Sequence, residues 1–357
     1  MNRTIPETVG TCGTGNVLGH ENVHHQFQRA VERGRLASTF LFVGPAGIGK
    51  CAFARELGKT LLCEHPAENF RPCDECAACV QCDAGSHPDL LYYCKPEDRT
   101  EFPVRLLIGE KEQRMREGLC ADIGKKPFMG GRRVAILDDA DTLNEESSNC
   151  LLKTLEEPPP RSVLILIGTS VSRQLPTIRS RCQIVRFSPL STELVEQILC
   201  ESPRVAALCE KNEVTLPTDK TELHQLAIDA KGSIQRAIML TDPALREFHR
   251  LLPTMLAARP FESVRIAATI LAFVEEGTKE AGVKRARIRF VLESAQEWFE
   301  QQLREVSETT EMNGTPNAVT RRESLLRRID RTVLTGEQLQ RNLHTTTLVE
   351  AWCDALN

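Results

Sequence analysis

The chain has 357 residues, a formal net charge of −4, and is 41% hydrophobic and 26% charged. At roughly 100–200 residues per domain that length suggests two or three domains, with enough apolar residues for sizeable cores. A disordered chain, a collagen-like fibre and a small disulfide-stapled scaffold are excluded; without a basic excess, and with only 5% aromatic residues, a base-stacking nucleic-acid platform is disfavoured.

The N-terminal stretch, Met1 to Thr14, lacks the continuous apolar core of a leader peptide, and no run of about 18 apolar residues marks a membrane span. The expectation is a cytoplasmic chain with no membrane partner, in which disulfides are rare. Residues 17–187 alternate strand and helix patterns. Thr39–Val43 is a short apolar strand running into glycines. Ala52–Leu62 is a helix with Phe53, Leu57 and Leu61 on one face. Val134–Leu137 is a second strand, ending in acids. Ser147–Glu157 is a helix stopped by Pro158, Pro159 and Pro160. Ser162–Ile167 and Gln183–Phe187 are further apolar strands. Apolar strands separated by helices imply an α/β fold with a parallel sheet covered by helices.

Residues 188–243 read as a small helical part, with helices at Ser191–Leu199 and Lys231–Thr241. Residues 244–357 read as all helical. Stripes at Val264, Ala268, Leu271 and Val274; at Ile288, Val291, Leu292, Ala295, Phe299 and Leu303; at Leu325, Leu326, Ile329 and Val333; and at Leu348, Trp352 and Leu356 predict a bundle core. Between the second and third, the polar Ser307–Thr320 with Gly314 and Pro316 reads as a mobile loop.

Gly44, Pro45, Ala46, Gly47, Ile48, Gly49, Lys50 and Cys51 follow a predicted strand and open a predicted helix. The pattern is the phosphate-binding loop, GxxxxGK followed by Ser or Thr, with Cys in the last place. Backbone N–H groups and a helix N-terminus suit a phosphate, and Lys50 would reach its outer oxygens. A hydroxyl at position 51 would ligate Mg²⁺, whereas the soft sulfur of Cys51 is a poor partner for a hard cation. Asp138 and Asp139 end the second strand, where such ATPases hold Mg²⁺ and orient the attacking water. Asp139 is one methylene shorter than Glu. The motif therefore allows a nucleotide phosphate such as ATP, while Cys51 and Asp139 speak against Mg²⁺ and hydrolysis.

Five of the 14 cysteines lie between Cys63 and Cys82. Cys73, Cys76, Cys79 and Cys82 form three overlapping CxxC steps, a spacing that lets thiolates converge on tetrahedral Zn²⁺. An iron–sulfur cluster is the rival, but no second cluster or electron-transfer partner is apparent. Local spacing favours those four; Cys63 is a fifth candidate. His87, before Pro88, reads as structural.

Asn149–Pro159, the Thr177–Cys182 segment with its Ser-Arg-Cys, Val17–Val23 and Arg341–Leu348 together resemble bacterial DNA polymerase III clamp-loader subunits, both the gamma/tau motor and the delta-prime type. The resemblance is sharp up to Phe187 and fainter beyond. It implies an AAA+ nucleotide-type domain over 1–187 with a zinc module at about 63–89, a small helical lid over 188–243 and a helical collar over 244–357. It also implies Cys63, Cys73, Cys76 and Cys79 as the structural zinc ligands, with Cys82 as alternative. Arg181 would be an arginine finger acting in trans, Thr169 a first sensor and Arg236 a second.

Partners implied are the gamma/tau and delta subunits in a hetero-pentameric ring, the sliding clamp, and primer-template DNA through the assembly. The favoured reading is a delta-prime-like stator within the holoenzyme, with little or no ATPase of its own. The alternatives are an active gamma/tau-type ATPase, which would want a hydroxyl at 51 and Glu at 139, and a zinc-containing scaffold whose nucleotide fold binds nothing. Arginine clusters at 132–133, 179–181, 284–289, 321–322 and 327–328 are candidate phosphate contacts, most of them read as solvated helix faces.

Overall fold

In a computed structural model, residues 17–357 are described, apart from 97–98, 100, 130, 212–213, 277–279, 314–315 and 341–343. The Met1–Thr14 segment, Cys12, Gly314 and Arg341–Leu343 therefore lie outside the described residues. The chain divides into two compact units, Met1–Thr241 and Asp242–Asn357.

The first unit opens with α1 (Glu21–Glu32), then β1 (Thr39–Val43), α2 (Lys50–Leu62), α3 (Ala77–Asp83), β2 (Leu90–Tyr93), α4 (Val104–Ile108) and α5 (Leu119–Gly124). It continues with β3 (Arg133–Leu137), α6 (Glu145–Glu156), β4 (Ser162–Gly168), α7 (Pro176–Arg179) and β5 (Gln183–Arg186). The five strands form one parallel sheet in the order β2-β3-β4-β1-β5. All residues of β1, β3 and β4 are buried, which explains why their sequences are uniformly apolar rather than alternating. One face packs Phe27, Phe42, Phe53, Ile136 and Ile165 under α1 and α2; the other packs Leu41, Leu107, Leu137, Leu151 and Leu166 under α4–α6. The expected α/β fold, a parallel sheet covered by helices, matches this architecture.

Four small helices complete the unit: α8 (Thr192–Glu201), α9 (Pro203–Lys211), α10 (Lys220–Asp229) and α11 (Ile234–Met239). Ser191 caps α8 by accepting from the Leu194 N–H, as its position predicts, and Ser233 caps α11 by accepting from the Arg236 N–H. The sequence pattern shows only two of these four helices. It also misses β2, an edge strand with one buried residue, whose short Leu-Leu-Tyr-Tyr run carries no alternation.

The second unit contains α12 (Pro243–Ala257), α13 (Ser263–Glu275), α14 (Ala281–Asn313), α15 (Pro316–Gln340) and α16 (Thr345–Ala355). Its core joins Leu252, Ile270, Ala295, Phe299, Trp352 and Leu356. The buried Trp352 indole donates to the Thr332 hydroxyl at 3.1 Å, giving its polar edge a partner. Two predicted stripes need correction. Val264 and Ala268 face solvent, with Val264 79% exposed, and Ile266, Ala267, Ile270 and Phe273 take the core. Leu326 is exposed, while Thr332 and Thr335 are buried. The predicted loop at 307–320 is largely helical: α14 runs to Asn313, and Pro316 opens α15 at a first-turn position where its missing N–H costs nothing. Among the described residues, no helix is long and apolar enough to cross a membrane.

Candidate functional site

The predicted phosphate loop sits at the C-terminal edge of the sheet, between β1 and α2. Gly44 (φ 157°), Gly47 (φ 73°) and Gly49 (φ 96°) adopt backbone conformations that residues with a Cβ avoid. Gly47 is doubly constrained, because an added Cβ would collide with the Ser233 hydroxyl at the start of α11. Its carbonyl accepts from the Ile234 N–H at 3.0 Å, so the small helices touch the loop directly. Lys50 is buried, and its ammonium donates to the Gly44 and Pro45 carbonyls at 2.7 and 2.6 Å. Burial lowers its pKa, against the opposing pull of Asp138 and Asp141.

His20 is a residue of this site that sequence reasoning left without a role. Its Nε2 lies 2.8 Å from the Ile48 carbonyl and so carries the hydrogen; the ring packs edge-on against Phe187 and Phe53. Its place next to Gly19 in the N-terminal segment was the available signal.

The acids end β3. Tyr92 donates to Asp138 Oδ2 at 2.8 Å, and Asp138 Oδ1 accepts the Asp139 N–H at 2.9 Å. The Cys51 thiol donates to the Tyr92 hydroxyl at 3.5 Å. Asp139 has a left-handed φ of 57° and an exposed position. Thr169 does come to this edge of the sheet. Its hydroxyl and N–H both donate to Asp141 Oδ2, at 2.5 and 2.7 Å, and Gln174 donates to the other oxygen. Neither Tyr92 nor Asp141 was singled out by the sequence. Arg236 lies half-buried in α11, two residues after Ile234, whose N–H donates to Gly47.

Arg181 lies elsewhere. It precedes β5, and Thr39, the first residue of β1, donates through its hydroxyl to the Arg181 carbonyl at 2.7 Å. The register pairs Phe40 with Gln183 and Val43 with Arg186. Arg181 thus stands at the N-terminal edge of the sheet, a strand length of roughly 16 Å from the loop that follows Val43. Its guanidinium is half-buried; Nε donates to Glu156 at 2.8 Å and Nη1 to the Thr177 carbonyl at 3.0 Å.

The cysteine cluster lies beside the far end of α2. The sulfurs of Cys63, Cys73, Cys76 and Cys79 all fall within 4.8 Å of one another, with separations of 3.5 Å (63–73), 3.9 Å (63–76) and 3.9 Å (73–79). A tetrahedron of Zn–S bonds of about 2.3 Å has edges near 3.8 Å. The four thiols therefore fit a tetrahedral metal ion, and Cys82, though buried, stands outside the group. Backbone N–H groups of Cys73, Cys76 and Cys79 point at the sulfurs of Cys63, Cys73 and Cys76, each at 3.4 Å. N–H donation from Glu75 and Cys76 holds the Cys73 thiol down at about 6. The cluster is tied to α2 by Lys59, which pairs with Asp74 at 2.5 Å and Asp83 at 2.6 Å.

His87 is buried away from this group, and its Nδ1 accepts from the Asp89 N–H at 3.1 Å, in keeping with a structural role. The fully buried Asp89 accepts from the Phe128 and Met129 N–H groups, both at 2.9 Å. Arg133, one of the basic candidates for phosphate contact, is buried against the Pro88 and Lys126 carbonyls and is no surface cation.

A family model described as "DNA polymerase III, delta subunit" matches residues 19–191. A DNA polymerase III subunit delta' of Pseudomonas aeruginosa is 35% identical over 237 residues, 64% of this chain and 65% of that protein. A subunit tau/gamma of Haemophilus influenzae is 32% identical over 231 residues, 64% of this chain and 30% of that protein. A subunit delta' of Bacillus subtilis is 33% identical over 183 residues, 50% of this chain and 51% of that protein. The chain covers less than two thirds of the length of each of these relatives.

Proposed function

We propose that the chain acts as a delta-prime-type clamp-loader subunit, a stator that lends Arg181 to a neighbour; the match of residues 19–191 to the DNA polymerase III delta-subunit model supports this reading. In this reading it works in the cytoplasm, in a hetero-pentameric ring with gamma/tau and delta subunits. The ring opens a sliding clamp for primer-template DNA. Residues 188–243 act as a lid over the loop, and 244–357 as the collar that holds the ring.

The observation that carries the reading is the separation of Arg181 from its own chain's phosphate loop, at opposite edges of one sheet. A guanidinium there cannot reach its own nucleotide site, but it can meet the phosphates of one bound to an adjacent subunit. Glu156 holds it at the surface until then. A finger of this kind offsets charge on the transferring phosphoryl group. The weakened home site, with Cys51 for a hydroxyl and Asp139 for Glu, suits a subunit whose contribution is made in trans. Thr169 and Arg236 keep the two sensor positions. Zinc at Cys63, Cys73, Cys76 and Cys79 would be structural, since four thiolates leave no open coordination position.

The test is ATP hydrolysis by the purified chain, alone and mixed with its cognate motor subunit. The isolated chain is expected to be nearly silent. Arg181→Ala should cut the clamp- and DNA-stimulated rate of the mixture by about 10³-fold at the affected site. Robust hydrolysis by the chain alone, or an unchanged mixed rate with Arg181→Ala, overturns the reading.

A further inference from the structure

We propose that the Tyr92 hydroxyl plugs the position a divalent cation takes in a phosphate-loop ATPase, so that this loop cannot seat Mg²⁺. The proposal rests on reading Gly44–Cys51 as the phosphate loop, as above. In such a site the ion hangs between the residue after the loop lysine, here Cys51, and the first acid at the end of the neighbouring strand, here Asp138.

These two side chains are already joined through a third. The thiol donates to the Tyr92 oxygen at 3.5 Å, and that oxygen donates to Asp138 Oδ2 at 2.8 Å. The other carboxylate oxygen is taken by the Asp139 N–H. Mg²⁺ needs near-octahedral oxygen ligands at about 2.1 Å and gives up its water reluctantly. Here the set is one oxygen short, with a sulfur at Cys51 in its place, and the Tyr92 phenol stands between that sulfur and Asp138.

The plug is built into the fold. Register places Tyr92 opposite Ile136, with Leu137 and Asp138 following, so the β2–β3 pairing delivers the hydroxyl to the carboxylate. From α2, one turn after Cys51, the Arg55 guanidinium lies 4.5 Å above the Tyr92 ring. This cation–π contact fixes the ring and brings a positive charge to the cavity that a metal would need. Burial, with Asp138 alongside, pushes the Cys51 thiol up; burial pushes the Tyr92 phenol up as well. Both stay protonated at neutral pH, as donors in a chain and not as anionic ligands. Mg–ATP therefore does not fit the residues present.

The experiment uses the full chain with its zinc in place, Mn²⁺ as a spectroscopic stand-in for Mg²⁺, and ADP as the phosphate ligand. Mn²⁺ binding is read from its paramagnetic signal, and ADP affinity with and without Mn²⁺ by calorimetry. For the wild-type chain, ADP either fails to bind or binds with an affinity that Mn²⁺ changes by less than about twofold. In Cys51→Thr/Tyr92→Phe, which keeps a ring under Arg55, and in the roomier Cys51→Thr/Tyr92→Val, Mn²⁺ should tighten ADP at least about tenfold. Asp138→Asn in either background should abolish the gain. An Asp138-dependent tightening of tenfold or more in the wild type overturns the plug, and so does the absence of any gain in both double variants. Neither result bears on trans activation through Arg181, which is read separately from the mixed ATPase.

Discussion

The molecule carries two places where its sequence promises a metal, and they end differently. At the cysteine cluster four soft ligands converge on one point with the edge lengths of a tetrahedron, and backbone N–H groups already face the sulfurs. At the phosphate loop one sulfur, one carboxylate and one tyrosine hydroxyl have closed on each other. Both regions grow from α2, the loop at its start and Cys63 at its end. The difference teaches that ligand type alone does not make a site. Donors make one when the fold aims them at a common point and leaves them nothing better to bind; once protein hydrogen bonds satisfy them, the motif survives as scaffold.

The largest effect that could break this comparison is loss of the cysteine site. The chain should hold one zinc. Cys76→Ser should lose it and destabilise the first unit by more than about 4 kcal/mol, since structural zinc sites in small modules bind with apparent free energies of about 10–16 kcal/mol. Cys82→Ser should keep the metal. Elemental analysis per chain with thermal melting decides the matter. Zinc retained in Cys76→Ser, or lost in Cys82→Ser, would mean that the wrong four thiols have been chosen. A visible absorption band would point to iron instead.

This contrast was only half legible in the sequence. The loop, its cysteine and the strand-end acids could be read because each signal is local: glycines at fixed offsets, a lysine, then a helix. Cys63 could not be chosen over Cys82 by spacing. It joins the tetrad because α2 ends there in extended backbone, which turns the thiol back toward the CxxC steps. Tyr92 carried no signal at all. It lies 41 residues from Cys51, and only the pairing of an edge strand brings it there.

The helical unit shows the same limit. Val264 and Ile266 both fit apolar periodicities in sequence, and the choice between faces is made by neighbouring helices. Gly314 and Pro316 look like a loop by composition, yet a proline at a helix start is favourable.

A smaller effect sharpens what ties the cluster to the sheet. Lys59 is buried between Asp74 and Asp83. Burial works against its charge, but the two carboxylates outweigh it and raise its pKa. A lysine pKa raised by folding contributes stability that is complete below the ordinary lysine value and fades only as pH climbs through the raised one. At neutral pH, Lys59→Met should therefore cost about 2 kcal/mol, less than a fully buried pair because Asp74 is partly exposed. Lys59→Arg should recover part of the loss. Urea unfolding of the zinc-loaded chain measures it. A variant as stable as wild type would show that the cluster docks without this clamp.

The smallest expected effect concerns the loop side, where protein groups stand in for a ligand. His20 closes on the Ile48 carbonyl, and burial lowers its pKa, with weaker opposing pulls from that carbonyl and Glu21. His24 and His87 are lowered by burial too. The unfolded chain therefore binds protons on these rings at a pH where the folded chain does not, so stability rises with pH across that window. It is fully present above the ordinary histidine value of 6.5 and is lost as pH falls from there toward the lowered values. Melting temperatures should fall between pH 7.5 and 5.5, conditions chosen to bracket the ordinary histidine pKa of about 6.5. His20→Gln, whose amide can still donate to the Ile48 carbonyl, should flatten the slope without removing it, since two other rings remain. An unchanged slope would mean that the loop's conformation does not depend on a neutral imidazole, and that the glycines and Lys50 hold it unaided.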